Sequence, residues 1–153
     1  MRKQLSKSEI KEINNKLKEL YNLEEFFSKK DKIEIEEEEH KIIKKQGKIY
    51  FFYHESKIIP VLKILADTNF LKKITVDMGA VKFVISGADI MRPGIVKIDE
   101  RIKQNEIICI IDEKHSKPIA IGIALFNSSE MKKQEKGKSV QNLHYVGDEL
   151  WNY

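Results

Sequence analysis

Only one cysteine, Cys109, stands in the 153-residue chain. That excludes an internal disulfide and any multi-cysteine metal site. The histidines His40, His54, His115 and His144 are scattered and have no cysteine companions, so a zinc centre lacks its ligands. No apolar run approaches the roughly 18 residues that a membrane span needs. The opening MRKQLSKSEI carries charge but not the apolar stretch of a signal peptide. These absences lead to the expectation of an intracellular, cytoplasmic protein. Glycine and proline are scarce as well, with 7 and 3 copies, so each marks its position sharply. No nucleophile-elbow pattern is present. Gly137-Lys138-Ser139 looks like the end of a phosphate-binding loop, but the glycine needed five residues earlier is Lys132. No cofactor or catalytic motif therefore emerges. Cys109 sits in the apolar run Ile107–Ile111 and reads as a core residue.

What is present is a soluble globular composition, 41% hydrophobic and 34% charged. The length suits one domain or two small ones. The net charge of +4 lies wholly in residues 1–73, while residues 74–153 are neutral. Lysines outnumber arginines 25 to 3. A mild basic excess permits a nucleic-acid partner without demanding one.

Ser6 and Glu9 form a capping box, and Ile10, Ile13, Leu17 and Leu20 follow at helical spacing, which predicts a helix over residues 7–21. Leu23, Phe26 and Phe27 read as a buried turn. Lys32–Glu36, Ile42-Ile43 and Ile49–Tyr53 read as strands, with Gln46-Gly47 turning between the last two. Pro60 suits the first turn of a short helix reaching Ala66. Glu36–Glu39 is an acidic run that reads as a solvated strand end or a docking patch. Beyond residue 78 lie six of the seven glycines. There the short apolar segments Ile74–Asp77, Ile95–Ile98, Glu106–Asp112, Pro118–Phe126 and Val140–Val146 have the pattern of a small barrel or sandwich. Asn127–Glu130 can open one more short helix, closed by Gly137.

Within Gly79–Ile95, three glycines and a proline bracket a short helix. Val81, Val84, Ile85 and Ala88 are placed to face the core, and Lys82 and Ser86 to face outward. Gly79 near the helix start leaves room for an anion beside free amides. Arg92 sits in the following turn.

The stretch DMGAVKFVISGADIMRPGI, with the tail KGKSVQNLHYVGDELW (Lys136 to Trp151), resembles the PUA domain, an RNA-binding module. Together they look most like the malignant T-cell-amplified-sequence family, its archaeal relatives and the ligatin-type translation factors. The resemblance implies an α+β fold: an N-terminal α/β pre-PUA domain over residues 1–73, packed on a C-terminal PUA β-barrel with two short helices over 74–153. It implies RNA in a groove between Gly79–Ala88 and Val140–Val146, touched by Gly79, Lys82, Ser86, Arg92, Lys138, Asn142 and His144. It further implies a non-catalytic role in translation, with the tRNA acceptor end or small-subunit rRNA bound and a translation-factor partner in trans. The neutral C-terminal half departs from a strongly basic groove. Lys29, Lys30, Lys32, Lys72 and Lys73 are candidates to supplement it. Two alternatives remain: an accessory RNA-binding subunit for tRNA or rRNA modification, and a protein–protein adaptor with a vestigial groove.

Overall fold

The computed structural model describes every residue from Met1 to Tyr153. The chain divides into two compact units, Met1–Val61 and Leu62–Tyr153. Residues 62–73, assigned above to the N-terminal half, group with the second unit.

In the first unit, β1 (Arg2–Gln4), β2 (Ile33–Glu37), β3 (Lys41–Lys45), β4 (Lys48–His54) and β5 (Lys57–Pro60) form an antiparallel sheet in chain order. The helix α1 (Lys7–Tyr21) carries the expected capping box: the Glu9 amide donates to Ser6 Oγ and the Ser6 amide to Glu9 Oε1. Ile10, Ile13 and Leu17 are buried, whereas Leu20 is exposed near the helix end. Asn14 fastens the following loop to α1, donating through Nδ2 to the Phe27 carbonyl and accepting from the Phe27 amide. Phe27 is thereby held edge-on to Phe51 in the core. Gln46 and Gly47 both have positive φ, the conformation of a two-residue type I′ hairpin loop. Glu55 and Ser56 repeat it between β4 and β5 without a glycine. Pro60 does not open a helix. It ends β5 paired with Phe51, and only a 3-10 turn follows, Leu62–Leu65. Proline at the end of an edge strand has no inward amide to lose.

The second unit contains β6 (Lys73–Val76), α2 (Met78–Val84), β7 (Ile90–Met91), β8 (Ile95–Ile98), β9 (Ile107–Asp112), β10 (Pro118–Ala124), α3 (Ser128–Lys133) and β11 (Lys138–Tyr145). The sheet order is β7-β11-β10-β9-β6-β8, antiparallel except for β6 beside β9. Because β7 and β8 are joined only by the turn Arg92–Gly94, the two ends of the sheet are held together and the barrel is nearly closed. Its interior is filled by Ile74, Val76, Ile108, Ile110, Ala120 and Val140, all inaccessible to solvent. Burying one such side chain stabilises by about 1.5–3 kcal/mol. Cys109 lies fully buried in β9, and burial pushes its thiol up to about 11, so it is an inert core residue.

Candidate functional site

α2 is shorter than its sequence period indicates. It stops at Val84, with Ile85 as its cap, and a turn occupies residues 85–87. Val84 is buried, and Ala80 and Val81 pack on the barrel core, but Ile85 is 41% exposed and Ala88 is also exposed. The cause lies at Gly87, whose φ of +95° turns the chain out of the helix. A side chain there would also press on the Tyr145 ring at 3.1 Å. Gly94 has a packing reason too, since a Cβ on it would come within 2.9 Å of the Ala80 methyl. Gly79 has neither reason. Its φ is not in the left-handed region, and a Cβ would meet only Asp77 Oδ1, at 3.4 Å.

Gly79 instead lines a cavity of about 490 Å³ between α2 and the segment Asp89–Gly94. Ala80, Phe83, Ile90, Met91 and Pro93 make most of its wall, with Asp77 and Asp89 as polar members. The size falls within the range of small-ligand clefts. Phe83 is 59% exposed on this wall, and the Lys82 ammonium lies 5.2 Å from its ring centroid, at cation–π range. Met91 on the opposite side is also exposed.

The amide cluster expected at the start of α2 is already occupied by carboxylates. Ala80 N–H donates to the N-cap Asp77 Oδ1 at 2.8 Å, and Met78 N–H donates to Glu113 Oε1 at 3.2 Å. Asp89 stands across the cavity, accepting from the Asn142 amide at 2.9 Å and ion-paired with Lys138 at 3.0 Å. Partial burial works to raise the Asp89 carboxyl, but the amide and the ammonium outweigh it and hold the group below its ordinary range. It is therefore ionised at neutral pH.

The other expected site residues divide by role. Ser86 Oγ donates to the Lys82 carbonyl at 2.7 Å, closing the last turn of α2. Asn142 Nδ2 donates to the carbonyls of Val84 and Ala88, both at 3.0 Å, and so ties that turn to β11. Arg92 spends Nε on the Met131 carbonyl and a terminal nitrogen on the Ile95 carbonyl. His144 is fully buried. Its Nε2 accepts from the Leu62 amide at 3.0 Å, so Nδ1 carries the proton and donates to the Asp148 carboxylate. Ser86, Asp89 and His144 thus have separate partners and form no catalytic grouping. The cavity's second wall is β7 with its following turn, not β11.

Gly79 lines the cavity, whereas Lys82 and Lys138 lie beside it, Lys82 over the Phe83 ring and Lys138 in its ion pair with Asp89. Phe83, Met91, Asp77 and Asp89 join them without having been singled out. The available signal was an aromatic beside a lysine on a helix whose apolar period did not need it.

The PUA domain model matches residues 72–146. The chain is 44% identical to the uncharacterized protein MJ1432 of Methanocaldococcus jannaschii, over 97% of this chain and 94% of that one. It is 33% identical to translation machinery-associated protein 20 of Saccharomyces cerevisiae, covering 86% of this chain and 77% of the relative. The rat malignant T-cell-amplified sequence 1 is also 33% identical, with 97% and 88% covered. Among solved structures, hypothetical protein PH0734.1 from Pyrococcus horikoshii superposes with a TM-score of 0.83 at 33% identity, over 99% of this chain and 98% of that one. The chain therefore shares its fold with these proteins and belongs to the PUA-domain family of malignant T-cell-amplified sequence and translation machinery-associated 20 proteins.

Proposed function

We propose that this protein is a non-catalytic RNA-binding factor of translation, and that the cavity beside α2 takes an unpaired segment of a tRNA acceptor end or of small-subunit rRNA. The observation that carries the reading is Phe83. Its ring stands exposed beside an open apolar cavity, next to Lys82, where nothing in the fold requires an aromatic. Unpaired bases stack on such rings, while lysines meet the phosphates. Lys82 and Lys138 are the cations at this opening, and Gly79 leaves the wall open for close approach. The carboxylates of Asp77 and Asp89 suit the exocyclic amino group of a base and repel a phosphate placed directly between them. This arrangement explains how a unit with a net charge of only +2 can take RNA: the base enters the cavity and the backbone stays at the lysine rim. A partner factor, if engaged, is supplied in trans.

The test is titration against deacylated tRNA with and without its terminal CCA, at several salt concentrations. A salt slope worth about 0.7 for each phosphate contacted, lost with the CCA end or with Lys82→Glu, is the expected result. No binding to tRNA at low salt removes the acceptor end, and co-sedimentation with small ribosomal subunits then decides between rRNA and no RNA. The exposed apolar side chains Met78, Ile85, Met91 and Val96 favour the adaptor as the second reading. A partner that stays bound after RNase treatment and is lost with Met91→Glu distinguishes it.

A further inference from the structure

The first unit carries a lysine surface that the cavity reading does not use. Lys45 and Lys48 flank the Gln46-Gly47 loop and are register partners across it. Like charges directly opposite one another on a ladder oppose pairing. Lys45 is partly relieved by Asp31, at 3.4 Å, and by the Tyr50 ring. Lys48 is exposed and has no such partner.

The turn Ser28–Asp31 is built onto the same tip. The Asp31 amide donates to the Ser28 carbonyl, the Ser28 amide to Asp31 Oδ2, and the Lys30 amide to Ser28 Oγ. The Gln46 amide then donates to the Lys32 carbonyl at 3.1 Å, which joins this turn to the hairpin. Lys29, Lys30, Lys32, Lys45 and Lys48 are thus presented on one ordered edge, with Lys29 and Lys30 exposed and outside any ion pair. At the other end of the same strands, the β2–β3 and β4–β5 turns expose Glu37, Glu38, Glu39 and Glu55. The sheet is electrically polarised along its strands, a distribution that orients an approaching polyanion.

We infer that the lysine tip around Gln46-Gly47 is a second RNA-binding surface, one that grips the phosphate backbone of a duplex without reading its bases. The proposal rests on the same class of partner as the cavity reading and on a different surface. Two observations favour a backbone over bases. Lysine is a point charge that meets phosphates in any sequence. The aromatics nearest the tip, Phe26 and Tyr50, are spent on Phe27 and Phe51 rather than offered for stacking. A membrane surface is disfavoured because no exposed apolar side chain accompanies the lysines.

The probe is a blunt RNA hairpin with no single-stranded overhang, titrated at several salt concentrations against the full chain. In Lys29→Gln/Lys30→Gln/Lys48→Gln the slope of log affinity against log salt should become shallower by about 2.7, at about 0.9 for each phosphate released. Affinity at fixed salt should fall at least about tenfold by the same count. The corresponding arginine variant should bind as the native protein does, and Lys103→Gln, at an exposed lysine outside both surfaces, should leave the blunt stem unaffected. The inference is overturned by any of three results: a native protein that ignores the stem, a folded triple-glutamine variant with an unchanged slope, or competition by polyglutamate equal to RNA per charge. Failure of the cavity reading shows elsewhere, as indifference of the native protein to the CCA end.

Discussion

Replacing Gly79 with alanine sets the preference of the helix against that of the cavity. Gly79 is the second residue of α2, its φ is outside the left-handed region, and an added methyl would touch only Asp77 Oδ1 at 3.4 Å, an ordinary contact. Alanine loses less backbone entropy than glycine on entering a helix, a gain of roughly 0.5 kcal/mol at the low end expected for a first turn. For a chain of this size that raises Tm by about 1–2 °C. The same methyl projects into the cavity wall, against which the proposed mode sets a nucleotide, and overfilling a packed contact costs about 1–3 kcal/mol. RNA affinity should therefore fall about tenfold while stability rises. Thermal melting of the free protein and fluorescence anisotropy with a CCA-ended oligonucleotide read the two terms separately. Native affinity in the stabilised variant would refute the placement of RNA against this wall. A lowered Tm would refute the helix argument itself.

Phe83→Ala should cost about 1–3 kcal/mol of RNA binding through lost stacking and leave Tm almost unchanged, since the ring is mostly exposed; anisotropy and melting check both. Lys82→Glu should weaken binding to single-stranded RNA and reduce the salt slope by about 0.7 or more, with an unaltered circular dichroism spectrum. His144→Ala should instead destabilise the protein by about 3 kcal/mol, because it orphans the buried Leu62 amide and uncovers the Asp148 carboxylate; urea unfolding measures this. Stability should decline in acid. Hydrogen bonds from His144 and from the amides of Tyr145 and Trp151 outweigh desolvation and hold Asp148 below its ordinary range, and Arg101 holds Asp99 down to about 2. For depressed carboxyl groups the stabilisation is complete above the unfolded value, near 4, and is lost as pH falls toward the folded values. Urea midpoints should therefore hold from pH 7 to about 5 and fall below about 4, and Asp148→Asn should lower the plateau and flatten the fall.

The sequence carried the fold wherever a local rule acted alone. The capping box located α1 to the residue, and Gln46-Gly47 located the β3–β4 hairpin. It misled where tertiary contacts decide. The apolar period from Val81 to Ala88 promised a longer helix, but Gly87 and the Asn142 clamp end it at Val84. The strands β1, β5 and β7 were missed because each is short and gains its partner only from a neighbour distant in the chain or across a glycine-free turn. The motif resemblance assigns Arg92 and His144 to RNA, and the fold gives both of them internal partners as well. In a structure with so few arginines, the one in the β7–β8 turn serves two carbonyls, and the histidine serves an amide and a carboxylate.

Subtracting what the fold needs for itself leaves a small remainder. Gly87, Gly94, Arg92, Asn142 and His144 each have an internal partner that accounts for them. Gly79, Lys82 and Phe83 in the second unit do not, and neither do Lys29, Lys30 and Lys48 in the first. The two remainders differ in kind. One is an aromatic and an open wall beside a single lysine, which is equipment for a base. The other is lysine alone on a fixed edge, which is equipment for a backbone. Base contacts specify and phosphate contacts position. Each unit carries a net charge of only +2, so the attraction comes from the placing of lysines on one edge rather than from net charge, while the cavity supplies the choice. This division implies that raising salt should weaken binding to every RNA through the lysine tip, and that the part of the salt slope which disappears with the CCA end should be the part that Lys82→Glu also removes.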